Sequence, residues 1–173
     1  MSEFEFTLVI DGDLEDEAVL DKLFEAGCDD ATFGVIDGIG YGDFHREARS
    51  FIKALVSAIK AVEGPGGLKV LHVEPDDVVT MADIAHRLDK SREYVRLLVA
   101  GRKGRGGFPP PISHLRGRSR LWRWSDVATW AGMLDEEAQE QAQFIAAVNA
   151  LLELRRSRLG KQERERLLKV VAV

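Results

Sequence analysis

Cysteine is all but missing from this chain. Cys28 stands alone among 173 residues, so no disulfide can close within the chain and no cysteine pair is available to hold zinc. With no cation beside it in sequence, its thiol reads as a small, partly buried apolar group rather than a redox sensor. Long hydrophobic runs are missing too, since nothing approaches the roughly 18 apolar residues that a membrane-spanning helix requires. The N-terminal stretch MSEFEFTLVIDGD lacks the basic start and apolar core of a signal peptide, so the expected location is the cytoplasm, with no membrane partner. Catalytic motifs are equally scarce. His45, His72, His86 and His114 are scattered, and no two stand at metal-ligand spacing. No glycine loop runs into a phosphate-binding lysine, and no serine or cysteine occupies a nucleophile motif. The chain is therefore expected not to be an enzyme and to use no catalytic residue, metal or cofactor.

Positive charge is rare outside one segment. Residues 1–79 carry six Lys/Arg against eighteen Asp/Glu, a balance of −12, and residues 135–173 carry seven of each. Residues 80–134 carry eleven Lys/Arg against four Asp/Glu, a balance of +7 inside a chain whose net charge is −5. An acidic protein that concentrates its cations in one module has equipped that module to approach a polyanion.

The first 74 residues alternate and repeat in a recognisable order. Phe4, Phe6, Leu8 and Ile10 share one face of a strand. Asp13 is placed to cap a helix from Leu14 to Ala26, with Leu14, Ala18, Val19, Leu23 and Phe24 as its stripe and Gly27 as its stop. A strand from Ala31 to Ile36 meets Asp37-Gly38, a strong two-residue hairpin signal, and a third strand runs from Ile39 to Phe44. Ala48, Phe51, Ile52, Leu55, Val56 and Ile59 predict a longer helix between Arg46 and Val62, followed by a fourth strand from Leu68 to Val73. The order βαββαβ is the split-βαβ, ferredoxin-like arrangement. Gly38, Gly40 and Gly42 admit either a closely approaching small molecule or a packed neighbour, of which packing is preferred. A balance of −12 and the lack of paired aromatic and basic residues on the strands argue against RNA on this sheet. Residues 75–79, with Pro75 to stiffen them, read as a short linker.

Residues 80–134 read as two short helices and a hairpin. Thr80 is a cap before Ala82, Ile84, Ala85 and Leu88, and Ser91 is a second cap before Val95, Leu97, Leu98 and Ala100. Helices joined so tightly make a helix-turn-helix. Gly101 ends the second, and a glycine-rich basic loop from Arg102 to Gly107, read as a flexible insert, leads to Phe108-Pro109-Pro110-Pro111. Residues 111–114 and 121–124 flank a tip bearing Arg116, Arg118 and Arg120 and read as a β-hairpin wing. Ser125 is read as the cap of a last helix carrying Val127, Trp130, Ala131 and Leu134. Trp122, Trp124 and Trp130 are expected to build the core between hairpin and helix.

This succession of helix, turn, arginine-rich helix, Pro109–Pro111, arginine wing and an aromatic strand running into Ser125-Asp126 resembles the winged DNA-binding domain of the MerR-type regulators and the related excisionases. The resemblance covers about fifty residues, and the loop from Arg102 to Phe108 is longer than such loops usually are. It implies a sequence-specific double-stranded DNA-binding transcriptional regulator, nucleoid-associated and homodimeric. A second helix laid in the major groove exposes its first turn to base edges, which selects Arg92, Glu93 and Arg96, with Tyr94 beside them. Ser91 offers its hydroxyl and the helix N–H groups to phosphate. Lys103 and Arg105 read as a phosphate clamp, Arg116, Arg118 and Arg120 as wing contacts to an adjacent minor groove or its phosphates, and Arg102 and Arg123 as further DNA-binding residues.

Residues 135–173 read as a long helix with Ala138, Ala142, Ile145, Val148, Leu151 and Leu152 in a stripe, then a break at Leu159-Gly160 and a shorter helix with Leu167, Leu168 and Val171. In the resembling family such a helix pairs two subunits; here it either pairs, with Asn149 setting the register, or folds back on the N-terminal domain. The expected architecture is therefore α+β: a ferredoxin-like domain over residues 1–74, a linker over 75–79, a winged helix-turn-helix over 80–134, and a helical dimerisation or packing segment over 135–173. Dimers would form through the C-terminal helix or the N-terminal sheet, which is also where a protein or small-molecule partner would bind. Two rival readings remain: an antitoxin-like or adaptor module whose acidic domain binds a basic protein, and an architectural, excisionase-like factor that bends DNA.

Overall fold

A computed structural model describes residues 1–65, 67–114, 117 and 119–171. The fold is α+β, and the chain divides into two compact units, Met1–Pro75 with the chain from Ala147 onward, and Asp76–Ala146.

The first unit is built on a four-stranded antiparallel sheet. Strands β1 (Ser2–Asp11), β2 (Ala31–Ile36), β3 (Ile39–Ala48) and β4 (Lys69–Glu74) lie in the order β2-β3-β1-β4, with α1 (Glu17–Glu25) and α2 (Phe51–Glu63) as the crossovers. This is the expected βαββαβ order. Phe6, Leu8 and Ile10 of β1, Phe44 of β3, Val70 and Val73 of β4, and Ala54, Leu55, Ala58 and Val62 of α2 form the interior. Period two on the strands and period three-to-four on the helix place all of them on the shared face. Asp37 and Gly38 both take positive φ, 52° and 78°, the pair of left-handed conformations that a tight two-residue hairpin needs.

Several boundaries differ from expectation, each for an identifiable reason. The first helix begins at Glu17, not Leu14, because Asp16, not Asp13, accepts the Ala18 N–H; Leu14 is buried from the preceding loop, and Phe24 is left 67% exposed. Strand β3 continues through Arg46 to Ala48, and α2 starts only at Phe51, where Ser50 caps it. Arg46 is held in the strand by a partly buried ion pair: its guanidinium donates to both oxygens of Asp30 at 2.7 Å and to Ser57 Oγ at 3.2 Å. That hydrogen bonding holds the arginine even more firmly charged than usual. Gly40 and Gly42 are packing positions, as preferred. A Cβ on Gly40 would lie 2.9 Å from the Ile10 carbonyl oxygen, and one on Gly42 would lie 2.7 Å from the Phe33 ring.

From Ala147 onward the C-terminal helix folds back within this unit. In α6 (Glu136–Arg156), Asn149 Oδ1 accepts the Val73 N–H at 2.8 Å and its Nδ2 donates to the Val73 carbonyl at 2.9 Å. Arg155 donates to the Val70 carbonyl and to Glu63. Strand β4 is an edge strand, so these side chains satisfy backbone groups that would otherwise seek another strand. The pairing role expected of Asn149 is thereby replaced by an intrachain one. The last helix, α7 (Lys161–Val171), has no buried residue. Among the described residues no helix is long and apolar enough to cross a membrane.

In the second unit, β5 (Val78–Thr80) pairs antiparallel with β6 (Leu121–Arg123). Helices α3 (Met81–Arg87), α4 (Arg92–Val99) and α5 (Trp124–Ala131) close over Val79, Ile84, Ala85, Val95, Trp122 and Val127. The expected linker is thus corrected: residues 78–80 are a strand, and Asp77 is buried.

Candidate nucleic-acid interface

Two capping devices define the helix-turn-helix. Thr80 Oγ1 accepts the Asp83 N–H while the Asp83 carboxylate accepts the Thr80 N–H at 2.8 Å, a reciprocal capping box at the start of α3. Thr80 also donates its hydroxyl to that carboxylate, and these bonds hold Asp83 below the usual aspartate range. Helix α3 closes with the Lys90 N–H on the Ala85 carbonyl and Asp89 at φ 52°. Ser91 Oγ then accepts the Tyr94 N–H at 3.1 Å and starts α4. Helix α4 ends in the same manner, with Gly101 at φ 66° and the Arg102 N–H on the Leu97 carbonyl.

This frame sorts the side chains of α4. Val95 and Leu98 are buried, and Arg92, Glu93 and Arg96 are exposed on the outer side. Arg96 is not independent, since its Nε and Nη2 donate to the two Glu93 oxygens at 2.7 and 2.6 Å. The shared bonds lower the Glu93 pKa and raise that of Arg96. Of the three candidate base readers, Arg92 projects from the first turn and Arg96 is committed to its neighbour three residues back.

The glycine-rich loop is more tightly held than its sequence suggests. Trp130 Nε1–H donates to the Gly106 carbonyl at 2.8 Å, Phe108 meets the Trp130 ring edge-on at 5.0 Å, and the Arg105 guanidinium lies 5.2 Å from the centroid of that ring. The Lys103 ammonium sits 4.6 Å from the Tyr94 centroid. The expected flexible insert is therefore a loop laid on two aromatic rings, whose negative faces attract its cations. Trp130 serves this loop, while Trp122 is buried and donates to the Pro109 carbonyl at 3.2 Å. Arg102 is exposed at the loop's start.

At the wing, the second expected strand is present as β6, but its main partner is β5. The first expected strand is reduced to the Ile112 N–H on the Leu121 carbonyl and a single bridge at Ser113. Arg120 is half-buried, and Arg116 and Arg118 lie outside the described residues. Arg123 Nη1 stands 3.6 Å from Asp77 Oδ2, which assigns it to an internal carboxylate.

The expected cap of α5 is also corrected. Helix α5 begins at Trp124, and Ser125 is buried inside its first turn. The cap comes from Asp77, whose carbonyl accepts the Trp124 N–H at 2.6 Å and whose carboxylate accepts the Ser125 N–H and hydroxyl, each at 2.7 Å. No local pattern could have revealed Asp77, because its partners lie more than forty residues away.

The assembled surface is a capped two-helix frame with an outward arginine on its second helix, a cation-bearing loop and the base of a wing. The chain matches no family model, no curated protein and no solved structure.

Proposed function

We propose that the chain binds double-stranded DNA sequence-specifically through the Asp76–Ala146 unit and acts as a transcriptional regulator. The observation that supports this most is the outer face of α4: the second of two capped helices joined by a four-residue turn presents Arg92, Glu93 and Arg96 to solvent, in the one segment with a surplus of seven cations. A helix so presented fits the major groove, where an arginine fork suits guanine. Phosphate contacts then come from Arg102, Arg120 and the wing. The active form is a homodimer, paired through α7 or the open β2 edge, since the edge of β4 is already covered by Asn149.

The test is fluorescence anisotropy with duplexes selected from genomic fragments. Affinity should fall by roughly 0.9 log unit per log unit of salt for each phosphate neutralised. Arg92→Ala should weaken the selected duplex by about 1–3 kcal/mol while leaving unselected duplexes nearly unchanged. A purified chain that binds no fragment at low ionic strength would refute the proposal. Strong bending with little sequence preference would favour the architectural alternative instead.

A further inference from the structure

The second unit contains a cavity of about 330 Å³ that its helix-turn-helix role does not use. Tyr94 and Leu98, one turn apart on α4, form one wall, and Leu88 and Trp130 contribute to the others. On a helix turning about 100° per residue, Tyr94 and Leu98 lie about 200° and 240° around from Arg92, so the cavity opens away from the outer arginine face. Its polar members are cations. Lys90 and Arg105 line it, and Lys103 is seated on the ring of Tyr94, one of the wall residues. No carboxylate is among the described residues that line it. The stacking of Arg105 on Trp130 and the bond from Trp130 to Gly106 hold one cation and one wall in place before any ligand arrives.

An apolar, aromatic-walled hollow with positive charge in its lining is complementary to one class of small molecule. We propose that this cavity binds an aromatic organic anion, whose ring system lies among Tyr94, Leu98, Leu88 and Trp130 and whose carboxylate or sulfonate meets Lys90 and Arg105. The volume, near the low end of the roughly 300–1,000 Å³ of small-molecule sites, suits a ligand of two or three rings. Lys103 and Arg105 then belong to this site more than to a phosphate clamp. The inference goes beyond duplex binding and stands whether or not that holds.

The test uses the full chain with anilinonaphthalene sulfonate, an aromatic anion whose emission rises in apolar sites, and its uncharged parent phenylnaphthylamine. One sulfonate dye should bind per chain, about tenfold more tightly than the uncharged dye, as a charge-assisted contact implies. Arg105→Gln and Lys90→Gln should each weaken the sulfonate severalfold and leave the uncharged dye unchanged. Ala131→Leu, which fills the cavity from an exposed position, should weaken both. Phe24→Gln, at an exposed apolar position of α1, should alter neither. Equal binding of the two dyes would overturn the assignment to anions. A signal insensitive to Ala131→Leu but lost with the Phe24 variant would overturn the site itself.

Discussion

Asp77 and Ser125 are joined by two hydrogen bonds of 2.7 Å in the interior of the second unit, across 48 residues of sequence. One carboxylate thereby caps α5, anchors the start of β5 and lies within 3.6 Å of Arg123. A buried carboxylate keeps its place only while its acceptor oxygens are occupied. Ser125→Ala removes the hydroxyl donor from a carboxylate that is otherwise buried, and should cost about 1–3 kcal/mol of stability. All three tryptophans lie in this unit, so indole fluorescence during urea unfolding reads it selectively. An unchanged midpoint would show that the hydroxyl contributes nothing.

The capping box makes the same unit sensitive to acid. The bonds from Thr80 depress the Asp83 pKa in the folded state, so the folded protein binds fewer protons there than the unfolded chain. That contribution is complete above the unfolded value of roughly 3.9 and is lost as pH falls through the lower folded value. Asp83→Ala should cost about 0.5–2 kcal/mol near neutrality. The stability gap between wild type and variant should narrow as pH is lowered toward 3, about a unit below the unfolded value. A gap that widens on acidification would contradict the assignment.

Glu93 restrains Arg96. Glu93→Gln removes the ion pair and one negative charge from the outer face of α4. If that face meets DNA, non-specific duplex affinity should rise and the salt slope steepen by about 0.9. Loss of affinity would instead mean that Glu93 itself contacts bases.

Asn149 protects the edge of the sheet. Asn149→Ala leaves the Val73 N–H and carbonyl without their side-chain partner. The first unit should lose about 1–3 kcal/mol. Hydrogen exchange at the Val73 amide should quicken about tenfold or more, and the uncovered edge should promote association. Unchanged exchange would place the amide's protection elsewhere.

What was legible in the sequence was local. Thr80, Ser91 and Asp37-Gly38 act on backbone groups within a few residues, so spacing alone located two helix starts and a hairpin. Alternation placed Phe6, Leu8 and Ile10 inside for the same reason, since period two is a property of the strand itself. The start of α2 was misplaced because a tertiary partner outweighed local preference: Asp30 holds Arg46 in a strand that helical periodicity had assigned to α2. In the candidate interface, Arg92 was legible because it projects outward from a helix whose apolar face was clear. The engagement of Lys103 and Arg105 was not, because nothing in the spacing of Tyr94 and Trp130 distinguishes contact from exposure, whereas the Glu93–Arg96 pair stands at the i,i+3 spacing that helical neighbours use.

The amino-acid order by itself determined the α+β class, the βαββαβ succession, the two capped helices and the segregation of positive charge, because caps, periodicities and net charge depend only on nearby residues or on none. Only the tertiary structure decided that Asp77 caps α5, that Asn149 closes the β4 edge, and that Tyr94, Trp130 and two cations line one cavity. Those relationships join residues brought together by packing, and chain separation leaves no local trace of them.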